Sequence, residues 1–173
     1  MTHILISGAI GSGKSTVVRR VMERLGWPRP AGFFTTRTRG PAPEVLISTW
    51  AGETRRLARP GAGEPPYRLD EPAFLPWAVE QLRAAPPDAP MVLDELGVLE
   101  LPSRSFTEAV AGVFQRPGPL LVVIQERALD RWIDLIGRGN ADAFFRVATD
   151  NRDRLPAQIA ACFQRGGDRP ATG

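Results

Sequence analysis

The sequence predicts a three-layer α/β domain with a mostly parallel central sheet and a β-hairpin inserted early in the chain. Three observations carry that expectation. Short apolar runs alternate with amphipathic stretches along the whole length. The most apolar run, Leu120-Leu121-Val122-Val123-Ile124, lacks the in-and-out alternation of a strand with one wet face, so it belongs at the centre of a parallel sheet. The first run, Ile4-Leu5-Ile6-Ser7, breaks into glycines and restarts as a helix. At 173 residues with 43% apolar content the chain suits one domain, residues 1–166, followed by an unordered tail over 167–173.

The elements follow in order. From Lys14 to Leu25 the apolar residues Val17, Val18, Val21, Met22 and Leu25 recur at helical spacing, and Gly26 with Pro28 ends the helix. Residues Gly32 to Arg39 are aromatic and β-branched and predict a strand, with Phe33 and Phe34 in the core. Gly40-Pro41-Ala42-Pro43 is a turn, Val45 to Trp50 a second strand, and Ala51-Gly52-Glu53 a hairpin tip returning through Thr54 to Leu57. The glycines and prolines from Pro60 to Pro66 predict an irregular surface loop. Glu71 to Leu82 is helical, with Pro76 tolerated only near its start. Met91-Val92-Leu93 is a buried strand stopping at Asp94-Glu95. Phe106–Phe114 and Leu129–Ile136 are helices, Phe144–Val147 a last strand, and Leu155–Phe163 a closing helix.

Chemistry concentrates in Gly8-Ala9-Ile10-Gly11-Ser12-Gly13-Lys14-Ser15-Thr16, which has the strand, glycine turn and helix start of a Walker A phosphate loop. Wrapping a polyphosphate in backbone N–H groups requires that no Cβ obstruct the approach, which explains Gly8, Gly11 and Gly13. The helix that begins at Lys14 and Ser15 aims free N–H groups and its positive dipole end at the anion. Lys14 supplies a compact charge for the β/γ oxygens, and the Ser15 hydroxyl is a ligand for Mg²⁺. Of 22 basic residues, Lys14 is the one lysine; a planar guanidinium would not replace an ammonium in such a cradle.

A strand ending in a carboxylate at the carboxyl edge of the sheet completes a metal site beside such a loop, so Asp94 is expected to hold Mg²⁺ together with Ser15. Glu95 is expected to take a proton from an attacking water. Strand alternation would turn Glu95 away from Asp94, but the strand ends here and Gly97 lets the chain bend. Asn151 is expected either to read a nucleobase or to cap the closing helix. Arg152 could stack on a base. Glu100 could buttress the glycine loop or an acceptor site, or be a helix-start carboxylate. One of Arg127, Arg131 and Arg138 could act as an arginine finger over the γ-phosphate, but with 21 arginines in the chain no site is assigned to any of them.

Composition narrows the rest. No apolar run approaches the roughly 20 residues of a membrane helix, so a cytoplasmic protein without a membrane partner is expected. One histidine, His3, and one cysteine, Cys162, leave no ligand set for zinc, and Cys162 falls in an apolar helical stretch. The net charge of +3 divides into +7 over residues 1–60 (ten basic, three acidic) and −4 over 61–173 (twelve basic, sixteen acidic). A local positive field suits a polyphosphate and would also suit nucleic acid.

Four stretches together resemble the small P-loop nucleoside-triphosphatases of archaea, bacteria and eukaryotes. These are the loop Gly8–Thr16, Gly32-Phe33-Phe34-Thr35 with Arg39, Asp94-Glu95-Leu96-Gly97-Val98-Leu99-Glu100-Leu101, and Asn151-Arg152-Asp153. The resemblance implies the three-layer P-loop fold and Mg²⁺-dependent hydrolysis of nucleoside triphosphates to diphosphate and phosphate, with broad base tolerance. The chain departs from the family pattern at Thr36 and Arg37, where acidic residues are frequent, and at Val98, where lysine is frequent. The segment from Gln125 to Gly139 matches no part of it. Two alternatives remain open on the residues: a small-molecule or nucleotide kinase on the same scaffold, and a nucleotide-dependent nucleic-acid-binding module. Oligomeric state is not legible.

Overall fold

The computed structural model describes residues 2–62 and 66–167. In its first half run β1 (His3–Ser7), α1 (Lys14–Leu25), β2 (Ala31–Arg37), β3 (Val45–Thr49), β4 (Thr54–Pro60), β5 (Tyr67–Leu69) and α2 (Glu71–Ala84). The second half adds β6 (Met91–Leu96), α3 (Arg104–Val113), β7 (Leu120–Ile124), α4 (Leu129–Ile136), β8 (Ala143–Arg146) and α5 (Leu155–Gly167), with a 3-10 turn at Glu126–Ala128. The strands form one sheet in the order β5-β4-β3-β2-β6-β7-β1-β8. From β2 to β8 the pairings are parallel, and β2 to β5 form an antiparallel extension.

Strand alternation sorts the core into two layers of side chains. Leu93, Val122 and Ile124 face Phe74, Phe106 and Trp132 of α2, α3 and α4. Val92, Leu121 and Val123 face Val18 and Val21 of α1 and Ile159 of α5. The fully buried run Leu120–Ile124 lies between β6 and β1, as its unbroken apolarity requires. Gly32 is demanded by packing: at φ 91°, a Cβ there would sit 2.4 Å from the Val92 carbonyl oxygen on β6.

Several boundaries differ from the sequence reading. β2 ends at Arg37, so Arg39 lies beyond the strand. Phe33 is buried, whereas Phe34 is half-buried and stacks on Trp50 with ring centroids 4.7 Å apart. Pro60 belongs to β4 and pairs with Tyr67 of β5, a three-residue strand too short to show periodicity. Of the irregular stretch expected from Pro60 to Pro66, residues 63–65 lie outside the described residues, as does the tail beyond 167. His3 is core, its ring nitrogens 3.3 Å from the Asn140 and 3.1 Å from the Arg116 carbonyl oxygens. No helix among the described residues is long and apolar enough to cross a membrane.

Candidate active site

The carboxyl ends of β1, β7, β6 and β2 meet at one edge of the sheet, where open α/β folds bind ligands. Between β1 and α1 the glycine loop turns tightly. A Cβ on Gly8 would lie 2.4 Å from the Val147 carbonyl oxygen, and Gly11 and Gly13 adopt φ of 78° and 100°. These positions therefore exclude side chains for steric reasons independent of any ligand. The Lys14 side chain is buried and curls back over its own loop, donating from Nζ to the Gly8 and Ala9 carbonyl oxygens at 3.0 and 3.1 Å. The N–H groups of the first turn of α1 have no intrahelical carbonyl to bond, and they open onto the concavity of the loop.

β6 delivers both carboxylates. It runs on to Leu96, beyond the expected end at Asp94-Glu95, and its register against β7 slips: Asp94 faces Val123 but Leu96 faces Ile124. Glu95 is thus the extra residue of a bulge, and a bulge re-aims a side chain that alternation would send to the other face. Glu95 Oε1 lies 3.3 Å from Lys14 Nζ. Its Oε2 accepts a hydrogen bond from Gln125 Nε2 at 3.3 Å. Asp94 is buried at 5% exposure, and its Oδ1 has no hydrogen-bond partner among the described residues. Burial pushes the Asp94 carboxyl up to about 6, against a hydrogen bond from the Ser15 hydroxyl and with a further upward push from Glu95.

Gln125, which sequence reasoning did not single out, borders the same cleft as Glu95. It directly follows β7, its N–H donates to the Leu96 carbonyl at 2.8 Å, and its Oε1 accepts from Arg127 Nε at 3.2 Å. A Cβ on Gly97 would lie 2.8 Å from the Gln125 amide, so Gly97 makes the room in which that amide reaches Glu95. The Gly97 N–H donates to Glu100 Oε2 at 3.1 Å, and its carbonyl accepts from Trp132 Nε1 at 2.8 Å. Glu100 therefore holds the turn after β6. The rule that singled out Asp94, a polar residue terminating a buried strand at the carboxyl edge, also singles out Gln125.

A cleft of about 820 Å³ opens above these groups, and the buried Asp94 does not border it. Every loop residue from Gly8 to Thr16 except Ser12 borders it, together with Glu95, Glu100 and Gln125. Ser12 is buried, with an Oγ that has no hydrogen-bond partner among the described residues. Asn151 does not border the cleft: its Oδ1 accepts from the Ala148 N–H and its Nδ2 donates to the Arg146 carbonyl, each at 2.9 Å, holding the turn between β8 and α5. Arg152 packs on the loop, its Cδ 3.2 Å from where a Gly13 Cβ would stand.

A family model described as NTPase matches residues 3–160, almost the whole domain that carries this site. The chain belongs to this NTPase family. It is 31% identical over 170 residues to the nucleoside-triphosphatase THEP1 of Natranaerobius thermophilus, covering 92% of this chain and 94% of that one. The solution structure of a human cancer-related nucleoside triphosphatase superposes with a TM-score of 0.74 at 27% identity, covering 98% of this chain and all of that one. The crystal structure of THEP1 from the hyperthermophile Aquifex aeolicus gives a TM-score of 0.75 at 24% identity, over 91% of this chain and 96% of that one, a likeness of fold. The NTPase fold thus follows the sequence expectation.

Whether this NTPase offers a divalent cation a place can be judged from its donors. The unpartnered, buried Asp94 Oδ1, beside the Ser15 hydroxyl, is an all-oxygen pair of the kind that suits Mg²⁺. A buried carboxylate oxygen without a donor is costly unless something compensates it. The residues fit the ion.

Proposed function

We propose that this NTPase hydrolyses nucleoside triphosphates to diphosphate and phosphate in the cleft, with the residues from Gly8 to Thr16 gripping the polyphosphate. One observation carries the reading: the carboxylate of Glu95 lies 3.3 Å from the ammonium of Lys14. A phosphate-loop lysine contacts the β- and γ-phosphate oxygens. A carboxylate touching that ammonium is therefore within reach of a water lined up on the γ-phosphorus, where it can take the water's proton as attack begins.

The remaining residues support the same chemistry. Backbone amides of the glycine loop and the first turn of α1 stabilise the phosphate oxygens without reorganising as charge develops. Gln125, bonded to Glu95 Oε2, fixes the direction in which the second carboxylate oxygen points. Ser15 and Asp94 would hold Mg²⁺, which when bound neutralises charge on the β- and γ-phosphates. Arg152 packs beside Gly13 of the loop, and Asn151 lies in the turn that follows β8. With its amide engaged by backbone on both sides, Asn151 acts by holding that turn.

The test is phosphate release from ATP, GTP, CTP and UTP with Mg²⁺, by wild type and by Lys14→Ala, with circular dichroism on both. Release by wild type and its loss in a folded Lys14→Ala is the expected result. Equal release by the two proteins would refute the assignment of the loop.

A further inference from the structure

Among the described residues three cations border the cleft: Lys14, Arg37 and Arg127. Lys14 belongs to the glycine loop, and the Arg37 guanidinium lies 5.3 Å over the Tyr67 ring. Arg127 stands in the 3-10 turn Glu126–Ala128, just after β7 reaches the carboxyl edge of the sheet. That turn is fastened at its start, the Gln125 N–H donating to the Leu96 carbonyl at 2.8 Å and the Ala128 N–H to the Gln125 carbonyl at 2.9 Å. Arg127 Nε donates to Gln125 Oε1 at 3.2 Å, and the amide nitrogen of Gln125 donates to Glu95 Oε2 at 3.3 Å. Glu95 in turn lies 3.3 Å from Lys14 Nζ, so one unbroken line of contacts runs from the loop ammonium to this guanidinium. Among the described residues the Nη groups of Arg127 have no hydrogen-bond partner, and the neighbouring Glu126 carboxylate is paired with Arg146. The other two arginines between Gln125 and Gly139 are placed elsewhere. Arg138 pairs with Asp134 of α4, and Arg131 does not border the cleft.

We propose that Arg127 is a catalytic residue, its Nη groups donating to the γ-phosphoryl oxygens as the bond to the bridging oxygen breaks. The inference rests on the hydrolytic reading of the site, in which Lys14 and Glu95 mark the γ-phosphate end. Negative charge spreads over the oxygens of the transferring group in the transition state, and a planar donor pair aimed at them lowers the barrier. The contact at Nε orients that pair. Because the partner at Nε is an amide and not a carboxylate, the guanidinium keeps its whole charge for the substrate. Water displaced by a bound nucleotide no longer screens it, which strengthens the attraction. The cation comes from this chain's own turn between β7 and α4, so no second protein has to bring it.

The experiment follows Mg-ATP hydrolysis by wild type, Arg127→Ala and Arg127→Lys, with circular dichroism on each. Calorimetry gives ADP affinity with Mg²⁺, in the presence and absence of aluminium fluoride, which imitates the γ-phosphoryl group in flight. Arg127→Ala should lower kcat by about 10²-fold or more with KM and ADP affinity within threefold of wild type. Fluoride should tighten ADP binding at least tenfold in wild type and not in Arg127→Ala. Arg127→Lys should fall between the two, because an ammonium restores charge without the planar pair. Unchanged kcat in Arg127→Ala overturns the assignment. A slowed Arg127→Ala whose fluoride complex stays as tight as that of wild type also overturns it, since a side chain that only holds Gln125 and Glu95 in place behaves that way. Equal losses of rate and ADP affinity overturn it in favour of simple binding. Wild-type activity that rises with the square of protein concentration places the arginine in a second copy and overturns the origin within the chain. No hydrolysis by wild type overturns the hydrolytic reading itself.

Discussion

Replacing Glu100 by glutamine should make the protein more stable, and by an amount that depends on pH. Glu100 is 4% exposed, and its Oε2 accepts the Gly97 N–H at 3.1 Å. Burial pushes its carboxyl from 4.5 up to about 7, against the backbone amides of Glu100 and Gly97 and the charge of Arg127. That difference converts to roughly 3 kcal/mol at 1.36 kcal/mol per pH unit. The folded chain binds the Glu100 proton more tightly than the unfolded chain does. Stability is therefore full below the unfolded value of 4.5 and falls as pH rises through about 7. Glutamine keeps an oxygen for the Gly97 N–H and never ionises, so it removes the loss. Urea unfolding at a series of pH values should give equal stabilities for wild type and Glu100→Gln near pH 4. At pH 8 the variant should lead by about 3 kcal/mol, which for a marginally stable domain is a large fraction of the total. A difference that stays flat across the series, or a wild type that is the more stable at pH 8, would refute the assignment of a buried ionising carboxyl at this turn.

Asp94→Asn should likewise stabilise the protein above pH 6, since burial pushes that carboxyl to about 6, while phosphate release falls by about 100-fold or more; calorimetric melting and a phosphate assay check the pair. Chelation of divalent cations should stop phosphate release and leave the far-ultraviolet dichroism unchanged. Gly32→Ala should cost roughly 2–5 kcal/mol in urea unfolding, the sum of a strained positive φ and a Cβ forced against the Val92 carbonyl. Gln125→Ala should lower the turnover number more than it changes the Michaelis constant, because its amide touches Glu95.

The parts of the fold that were legible in the chain are those whose signal is local. The run Ile4–Ser7, the glycines after it and the helical spacing from Val17 to Leu25 sit within one βα unit, and α1 begins at Lys14 as read. The buried run Leu120–Ile124 named its own place in the sheet. What was not legible depends on partners distant in sequence. Tyr67–Leu69 is a strand only because Ala58–Pro60 pairs with it. The aim of Glu95 comes from a register slip against β7, about which residues 94–97 say nothing by themselves; the bend at Gly97 was expected, but the strand passes through Glu95 before reaching it. Gln125 touches Glu95 from thirty positions away, and only the adjacency of β7 and β6 brings the two together. Asn151 had local alternatives in the sequence, and its amide is taken by the backbone of its own turn.

In the proposed reaction Glu95 prepares a water for attack on a triphosphate held by the glycine loop. The most direct test is single-turnover hydrolysis of Mg-ATP by Glu95→Gln, with nucleotide affinity measured on the same protein. Affinity within a few-fold of wild type and a chemical step slowed by about 10²–10⁴ are expected. A Glu95→Gln protein that binds nucleotide and hydrolyses it at the wild-type rate would contradict that role of Glu95.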